Sequence, residues 1–476
     1  MSDELLDRFG FSERHRQMMA RDHEHVLGWR FFPRIVFDRG EGVRVIDVDG
    51  NAYYDLSSGM MSMVLGHAHP ELVDCIQSQA HRLGHQASWY SNPWSLEYAE
   101  LVASTLPGDL KVTNFAVTGS EANEIAMRMA IGATGRFELV SLIKGLHGGT
   151  LGVESLTTVG GARRQNLSPL MIPAARNAIF SPSCYRCPIN LKYPECDVAC
   201  ITASEAQLEH VTAKEIAAII AETVQVPGGM NVPPPEYLPR LKRLAEKYDA
   251  LLVLDEAQLA PARTGKMWAF EHYDVTPDIV TYGKGMSAGM AITGATTTPE
   301  IAERARGKAG VPWAGTYSSD PLPAAVALKQ LQIVLRDDLA ARAERMGRLL
   351  RARLQGLQQR FEFIGDVRGL GMYQYLDIVT DRRSKTPDFD MAERIRFNAV
   401  GEGLLLLTSQ HCIRIVPPLT ITEDELDDVL GRLEAALGKA EAGEPKGVDL
   451  MANYDASSSL AYGKASRTQA ATTADC

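Results

Sequence analysis

From Asn92 to about Pro321, short apolar runs alternate with stretches whose apolar residues recur at helical spacing. The runs NFAVTG, ELVSLI, IAAIIAE, ALLVLDE and DIVTYGKG read as short strands, apolar enough to be covered on both faces. Alternation of this kind predicts an α/β domain around a mainly parallel sheet. Upstream, IVFDRGEGVRVIDVDGNAYYDLSSG breaks into short apolar pieces at Gly and Asp-Gly, the pattern of strands and hairpins. HPELVDCIQSQAHRL then returns to helical spacing. Downstream, ARAERMGRLLRARLQGLQQRF predicts a long helix, and DVRGLGMYQYLDIV and IRIVPPL predict strands. ITEDELDDVLGRLEAALGKA closes the pattern as an amphipathic helix, with Thr422 as N-cap and acidic residues in the first turn.

These shifts divide the chain into a charged, helix-prone arm (1–30) and the N-terminal part of a smaller domain (31–80). A large domain (81–325), the C-terminal part of the smaller one (326–442) and a Ser-, Ala- and Thr-rich tail (443–476) follow. The tail is expected to be disordered, because it has too little apolar surface to bury.

A chain of 476 residues suits about three domains at roughly 150 residues each. The formal net charge of -10 argues against nucleic acid or an anionic membrane surface as the main partner. No apolar run is long enough for a membrane span, and Met1 to Arg8 lack the apolar core of a signal peptide, so the cytoplasm is the expected compartment. Of seven cysteines, four cluster in CYRCPINLKYPECDVAC: Cys184, Cys187, Cys196 and Cys200. The first pair has the C-x-x-C spacing of zinc and iron–sulfur ligands. Four reduced thiols in a proline-punctuated loop are the alternative, and spacing leaves both open.

Three motifs carry candidate chemistry. ALLVLDEAQ puts Asp255 at the carboxyl end of a buried strand, where open α/β sheets collect ligands. DIVTYGKG sets Lys284 just after another strand, between glycines that would let a cofactor approach the backbone. TGSEANE opens a helix whose free N–H groups and positive dipole end suit a phosphate, or are capped by serine in a capping-box variant. On pattern alone, each residue could equally be structural.

Taken in order, DLSSGMMSMVLGHAHPE, TGSEANEIAMRMA, LDEAQLAPARTG, TYGKGMSAG, TYSSDPLPAAVAL, IGDVRGLGM and IRIVPPLT resemble the class III aminotransferases. Among these the likeness is strongest to the 2,2-dialkylglycine decarboxylases, and it runs from about Gly40 to about Leu437. It implies a fold type I, pyridoxal-phosphate (PLP) enzyme. The large domain would hold a mainly parallel, seven-stranded sheet, and the smaller domain would be α+β. Lys284 matches the Schiff-base lysine and Asp255 the partner of the pyridine nitrogen, a pairing that makes the cofactor an electron sink. Gln258 matches the residue bonded to the phenolic oxygen, while Thr118, Gly119 and Ser120 match the phosphate turn. Thr316 matches a threonine that reaches the neighbouring subunit's phosphate, which implies a homodimer or a dimer of dimers. Arg414 matches the arginine that grips the α-carboxylate of a small amino-acid substrate, a task for which a forked guanidinium is suited. Glu222 stands where the family has Glu-Pro. Ser88 and Asp320 match an alkali-metal site for K+ or Na+.

The sequence departs from that pattern around the cofactor. Met60 replaces a glutamine that orients the scissile carboxylate, and a thioether cannot donate that hydrogen bond. Leu146, followed by His147, stands where a ring covers the cofactor, leaving dispersion contact without stacking. Gly149 replaces a bulkier residue, and Pro261 lies in the altered loop after Gln258. Transamination or decarboxylation-dependent transamination is the expected reaction. Elimination of a β- or γ-substituent with carbon–carbon bond formation is the alternative that fits the departures. A non-catalytic PLP-fold binding protein is disfavoured by the intact Lys284 and Asp255.

Overall fold

A computed structural model describes residues 6–27, 33–160, 167–308, 311 and 313–446. The tail from residue 447 lies outside the described residues, as does the start of the N-terminal arm. The chain forms two compact units. One gathers the chain up to Gly59, Leu65–His69 and the chain from Met346; the other gathers Met60–Val64 and Pro70–Arg345.

The second unit is built on seven strands: β1 (Val112–Ala116), β2 (Glu138–Leu142), β3 (Asn177–Ile179), β4 (Ile216–Glu222), β5 (Leu251–Asp255), β6 (Ile279–Tyr282) and β7 (Thr293–Thr297). They lie in the order β1-β7-β6-β5-β4-β2-β3. Five run parallel from β3 to β6, and β7 is antiparallel to both of its neighbours. Every residue of β2, β4, β6 and β7 is buried, as continuous apolar runs require of strands covered on both faces. One core cluster packs Leu252, Leu254, Val280 and Tyr282 with Leu238 and Leu241, and a second packs Val253, Ile279 and Ile220 with Ile125 and Met129. Alternate residues of β5 and β6 thus serve opposite clusters, so each strand needs apolar side chains on both faces.

The helices Pro70–Ala80 and Pro321–Arg336 both fall in this unit. Pro321–Arg336 packs against Pro70–Ala80 and Pro93–Ser104, burying Ala324, Ala327 and Leu331. Arg336 adds a surface ion pair to Glu71 at 2.9 Å. The apolar stripe of a helix decides which core it joins.

The other unit contains the hairpins Phe37–Glu41, Arg44–Asp47 and Ala52–Asp55, extended by the parallel strand Leu404–Leu405. A second, antiparallel sheet joins Ile364–Leu370, Tyr373–Asp381, Cys412–Ile415 and Leu407–Ser409. Helix Glu423–Glu441 begins with Thr422 as N-cap, in a reciprocal capping box with Glu425. Among the described residues no helix is long and apolar enough to cross a membrane.

Candidate active site

Sheet register assembles the site. Glu222 of β4 pairs with Asp255 of β5, and Asp255 with Thr281 of β6, so three polar side chains stand abreast at the carboxyl ends of parallel strands. Lys284 follows β6 directly. Helix Gly119–Thr134 brings Gly119, Ser120 and Asn123 to the same place. A cavity of about 140 Å³ is lined by these helix residues with Leu146, His147, Gly148, Glu222, Asp255, Gln258 and Lys284.

Asp255 is buried yet ionised. Its Oδ2 accepts from His147 Nδ1 and from Asn123 Nδ2, both at 2.9 Å, and its Oδ1 accepts from the Ala257 N–H at 3.0 Å. Burial alone would raise its pKa, but the His147 hydrogen bond and charge, the Ala257 N–H and the Lys284 ammonium together hold it below the ordinary carboxylate value. Burial pulls His147 the other way, and the contact with Asp255 still raises it. Asn123 Nδ2 also donates to the His147 carbonyl at 2.7 Å, and its Oδ1 accepts from Thr281 Oγ1 at 2.7 Å. The amide therefore locks helix, loop and two strands around one carboxylate.

Sequence reasoning missed Asn123. The available signal was an amide inside the apolar face of a helix, where burial demands a partner for every polar atom.

Glu222 lines the cavity while Oε1 accepts from Leu146 N–H at 2.9 Å and Oε2 from Val226 N–H at 3.1 Å. It thus fixes the loop that carries Leu146 and His147. Burial pushes its carboxyl up to about 7, against the nearby His147 charge and these N–H groups.

The phosphate turn is capped differently from the serine cap considered above. Thr118, exposed, is the N-cap and forms a reciprocal capping box with Glu121. That leaves the N–H groups of Gly119 and Ser120 ahead of the helix's own ladder, which begins with Ala122 N–H to Thr118 O at 3.0 Å. Ser120 Oγ instead accepts from the N–H of Gly149 at 3.1 Å, tying the loop to the turn.

Lys284 sits at a φ of 41°, a left-handed conformation uncommon for a residue with a side chain. The glycine after it serves a packing need rather than cofactor approach. A Cβ on Gly285 would lie 2.6 Å from the Ala260 carbonyl oxygen and 3.0 Å from Pro261 and Val64.

Other expected residues are not among those lining this cavity. Met60 is 55 % exposed, in a helical turn at Ser58–Met61 whose four residues all have positive φ, from 48° to 68°. Such a left-handed turn is costly for residues with side chains. Asp55 secures its start, accepting from Gly59 N–H at 2.7 Å and from His67 Nε2 at 2.9 Å. Thr316 is exposed. Asp320, expected with Ser88 to hold an alkali cation, accepts from His85 Nδ1 at 2.8 Å and faces the Gln86 N–H at 3.5 Å. Arg414 is buried in the strand Cys412–Ile415 of the other unit. The nearby phenols of Tyr375 and Tyr373 favour its charge against desolvation. Its Nε has no partner.

The residues of the cavity fit PLP. Gln258 Oε1 and His147 Nε2 are buried without partners, an unusual state for polar atoms that a polar ligand would relieve. Two free N–H groups at a helix start offer an anion site, an ionised carboxylate suits a protonated ring nitrogen, and a lysine completes the donor set.

Residues 29–437 match the family model described as Aminotransferase class-III. The leucine/methionine racemase of Thermococcus litoralis is 33% identical over 430 residues, covering 87% of this chain and 95% of the racemase. The acetylornithine aminotransferase of Methanopyrus kandleri is also 33% identical, covering 87% of this chain and 97% of that enzyme. Among solved structures, a PLP-bound amine transaminase from an uncultivated Pseudomonas species superposes with a TM-score of 0.82 at 30% identity, covering 87% of this chain and 98% of that one. The chain belongs to the class III aminotransferase family and is, as such, a PLP-dependent enzyme.

Proposed function

We propose that this enzyme transaminates an amino acid at its α-carbon. The observation that carries the reading is the cavity shared by Lys284 and an Asp255 held ionised by His147 and Asn123. PLP, when bound, supplies the electron sink for the bond broken at the α-carbon. Asp255 keeps the ring nitrogen protonated. The Lys284 amine carries the cofactor and then takes and returns the α-proton. Gly119 and Ser120 would hold the phosphate through their N–H groups, Gln258 would donate to the phenolic oxygen, and Leu146 would offer the ring dispersion contact. Arg414, whose neighbours are phenols, takes the substrate carboxylate. Thr316 serves the phosphate of a second copy, so a homodimer is part of the reading.

A second reading is racemisation. It is favoured by the likeness to a racemase at the same identity as to an aminotransferase, and it uses the same proton transfer by Lys284. Decarboxylation, the reaction of the dialkylglycine decarboxylases, lacks the amide donor at Met60.

Holoenzyme incubated with an amino-acid panel in heavy water, with and without an oxo-acid acceptor, separates these readings. Transamination consumes the amino acid one for one with acceptor. Racemisation yields the other enantiomer with deuterium at the α-carbon and needs no acceptor. Release of carbon dioxide, or no turnover of any amino acid, overturns the proposal. Arg414→Lys should raise KM for an amino acid roughly ten- to hundredfold by removing the forked contact, while leaving amines without a carboxylate unaffected.

A further inference from the structure

The four clustered cysteines play no part in the chemistry above. Cys184, Cys187 and Cys196 lie in the connection between β3 and the helix Ala199–Val211, a segment without regular strand or helix, and Cys200 stands in the first turn of that helix. Loops of such length inside a compact domain are uncommon unless something organises them. Short turns fold this one back on itself. Cys184 N–H donates to Pro182 O at 3.0 Å, Asn190 N–H to Cys187 O at 3.0 Å, Cys196 N–H to Lys192 O at 2.8 Å, and Ala199 N–H to Cys196 O at 2.9 Å. The result is that Cys184, Cys187, Cys196 and Cys200 all line one cavity, with Pro182, Pro188 and Pro234 among its walls. All four are free thiols. The cavity has a volume of about 20 Å³, room for a single water-sized occupant.

We infer that this cavity is a binding site for one soft divalent cation, Zn2+ foremost, ligated by Cys184, Cys187, Cys196 and Cys200. Sequence spacing alone did not show that both pairs line one cavity; the fold does. The cavity as it stands has room for a single ion. No three of the sulfurs lie within 4.8 Å of one another, so the ion draws them inward as it binds. The turns that carry Cys184, Cys187 and Cys196 are free of sheet and helix hydrogen bonds and can yield.

On binding, each ligated thiol releases its proton to solvent, and four thiolates around Zn2+ leave a site of net charge −2. Arg240, which donates to the Asp197 carbonyl at 2.6 Å and is ion-paired with the Asp197 carboxylate, is within electrostatic reach of Cys200. The ion would staple this connection to the edge of the large sheet, since Tyr237 Oη also donates to Phe180 O at 2.7 Å.

Elemental analysis of the full-length holoenzyme, produced in zinc-supplemented medium, tests the proposal. We expect about one zinc per chain, lost in the Cys184→Ser/Cys187→Ser double variant, which should retain amino-acid turnover. If that variant does not fold, the wild-type protein loaded with Co2+ decides, since thiolate-to-cobalt charge-transfer absorption reports sulfur ligation directly. Zinc retained in a folded double variant overturns the inference. So do disulfides among these cysteines by mass spectrometry, iron together with inorganic sulfide, or neither zinc in the wild-type protein nor a cobalt–thiolate band.

Discussion

His147 Nδ1 lies 2.9 Å from Asp255 Oδ2, and both side chains are buried. The imidazole opposes the desolvation that would otherwise neutralise the carboxylate on which the ring nitrogen depends. Replacing it with asparagine keeps a donor but removes the charge. At pH values below the pKa of the Asp255 carboxyl, His147→Asn should lower kcat/KM roughly tenfold for each pK unit by which that carboxyl rises. It should also move the acidic limb of the pH–rate profile upward. An acidic limb that stays in place would show that His147 only fills space.

Gly148 has a φ of 154°, and a Cβ there would lie 2.6 Å from both Ser120 Oγ and Val153 Cγ1 and 2.8 Å from Ser120 Cα. Ser120 opens the helix assigned to the phosphate, so Gly148→Ala must push that turn away or strain the loop. Overpacking of this kind costs about 1–3 kcal/mol. If the cost falls on the bound state, PLP affinity drops roughly ten- to hundredfold. Fluorescence titration of PLP into the cofactor-free variant measures this directly, and an unchanged affinity would contradict the assignment of the turn.

Stability should fall as pH rises from about 5 to 8. Burial pushes the Glu222 and Glu256 carboxyls up to about 7 from an ordinary value of 4.5. A carboxyl raised in the folded state binds more protons there than in the unfolded chain between those values, so stability declines across that window. His147 adds to the trend: raised by Asp255, it contributes stability below 6.5 that is lost at higher pH. Asp255, lowered, acts in the opposite sense only on acidification below about 4. Thermal unfolding at pH 5.5 and pH 8 should give the lower Tm at pH 8. An equal or higher Tm there would mean that both glutamates are ionised at neutral pH.

The strands around the site were legible because their signal is local. ALLVLDE, IAAIIAE and DIVTYGKG each announce a buried strand by a continuous apolar run, and β5, β4 and β6 stand there. Thr422 announced its helix because a cap and its partner lie three residues apart. The same locality misled at the other helix start. Threonine and serine are both competent caps, and only backbone geometry selected Thr118.

By itself the sequence determined the strand-and-helix alternation and, through ordered motifs, the family and the cofactor expected of it. It could not decide what touches what. Asn123, His147, Thr281 and Asp255 are scattered between positions 123 and 281, and no periodicity links them. Sheet register and the helix that crosses it bring them within hydrogen-bonding distance. The helix Pro321–Arg336 joined the large unit because its apolar stripe found partners there. Four cysteines with ambiguous spacing likewise came to face one cavity only once the turns between them had formed. Local pattern fixes an element's type from the side chains it carries. Contacts between elements depend on burial and register across the whole chain, and those exist only in the tertiary structure.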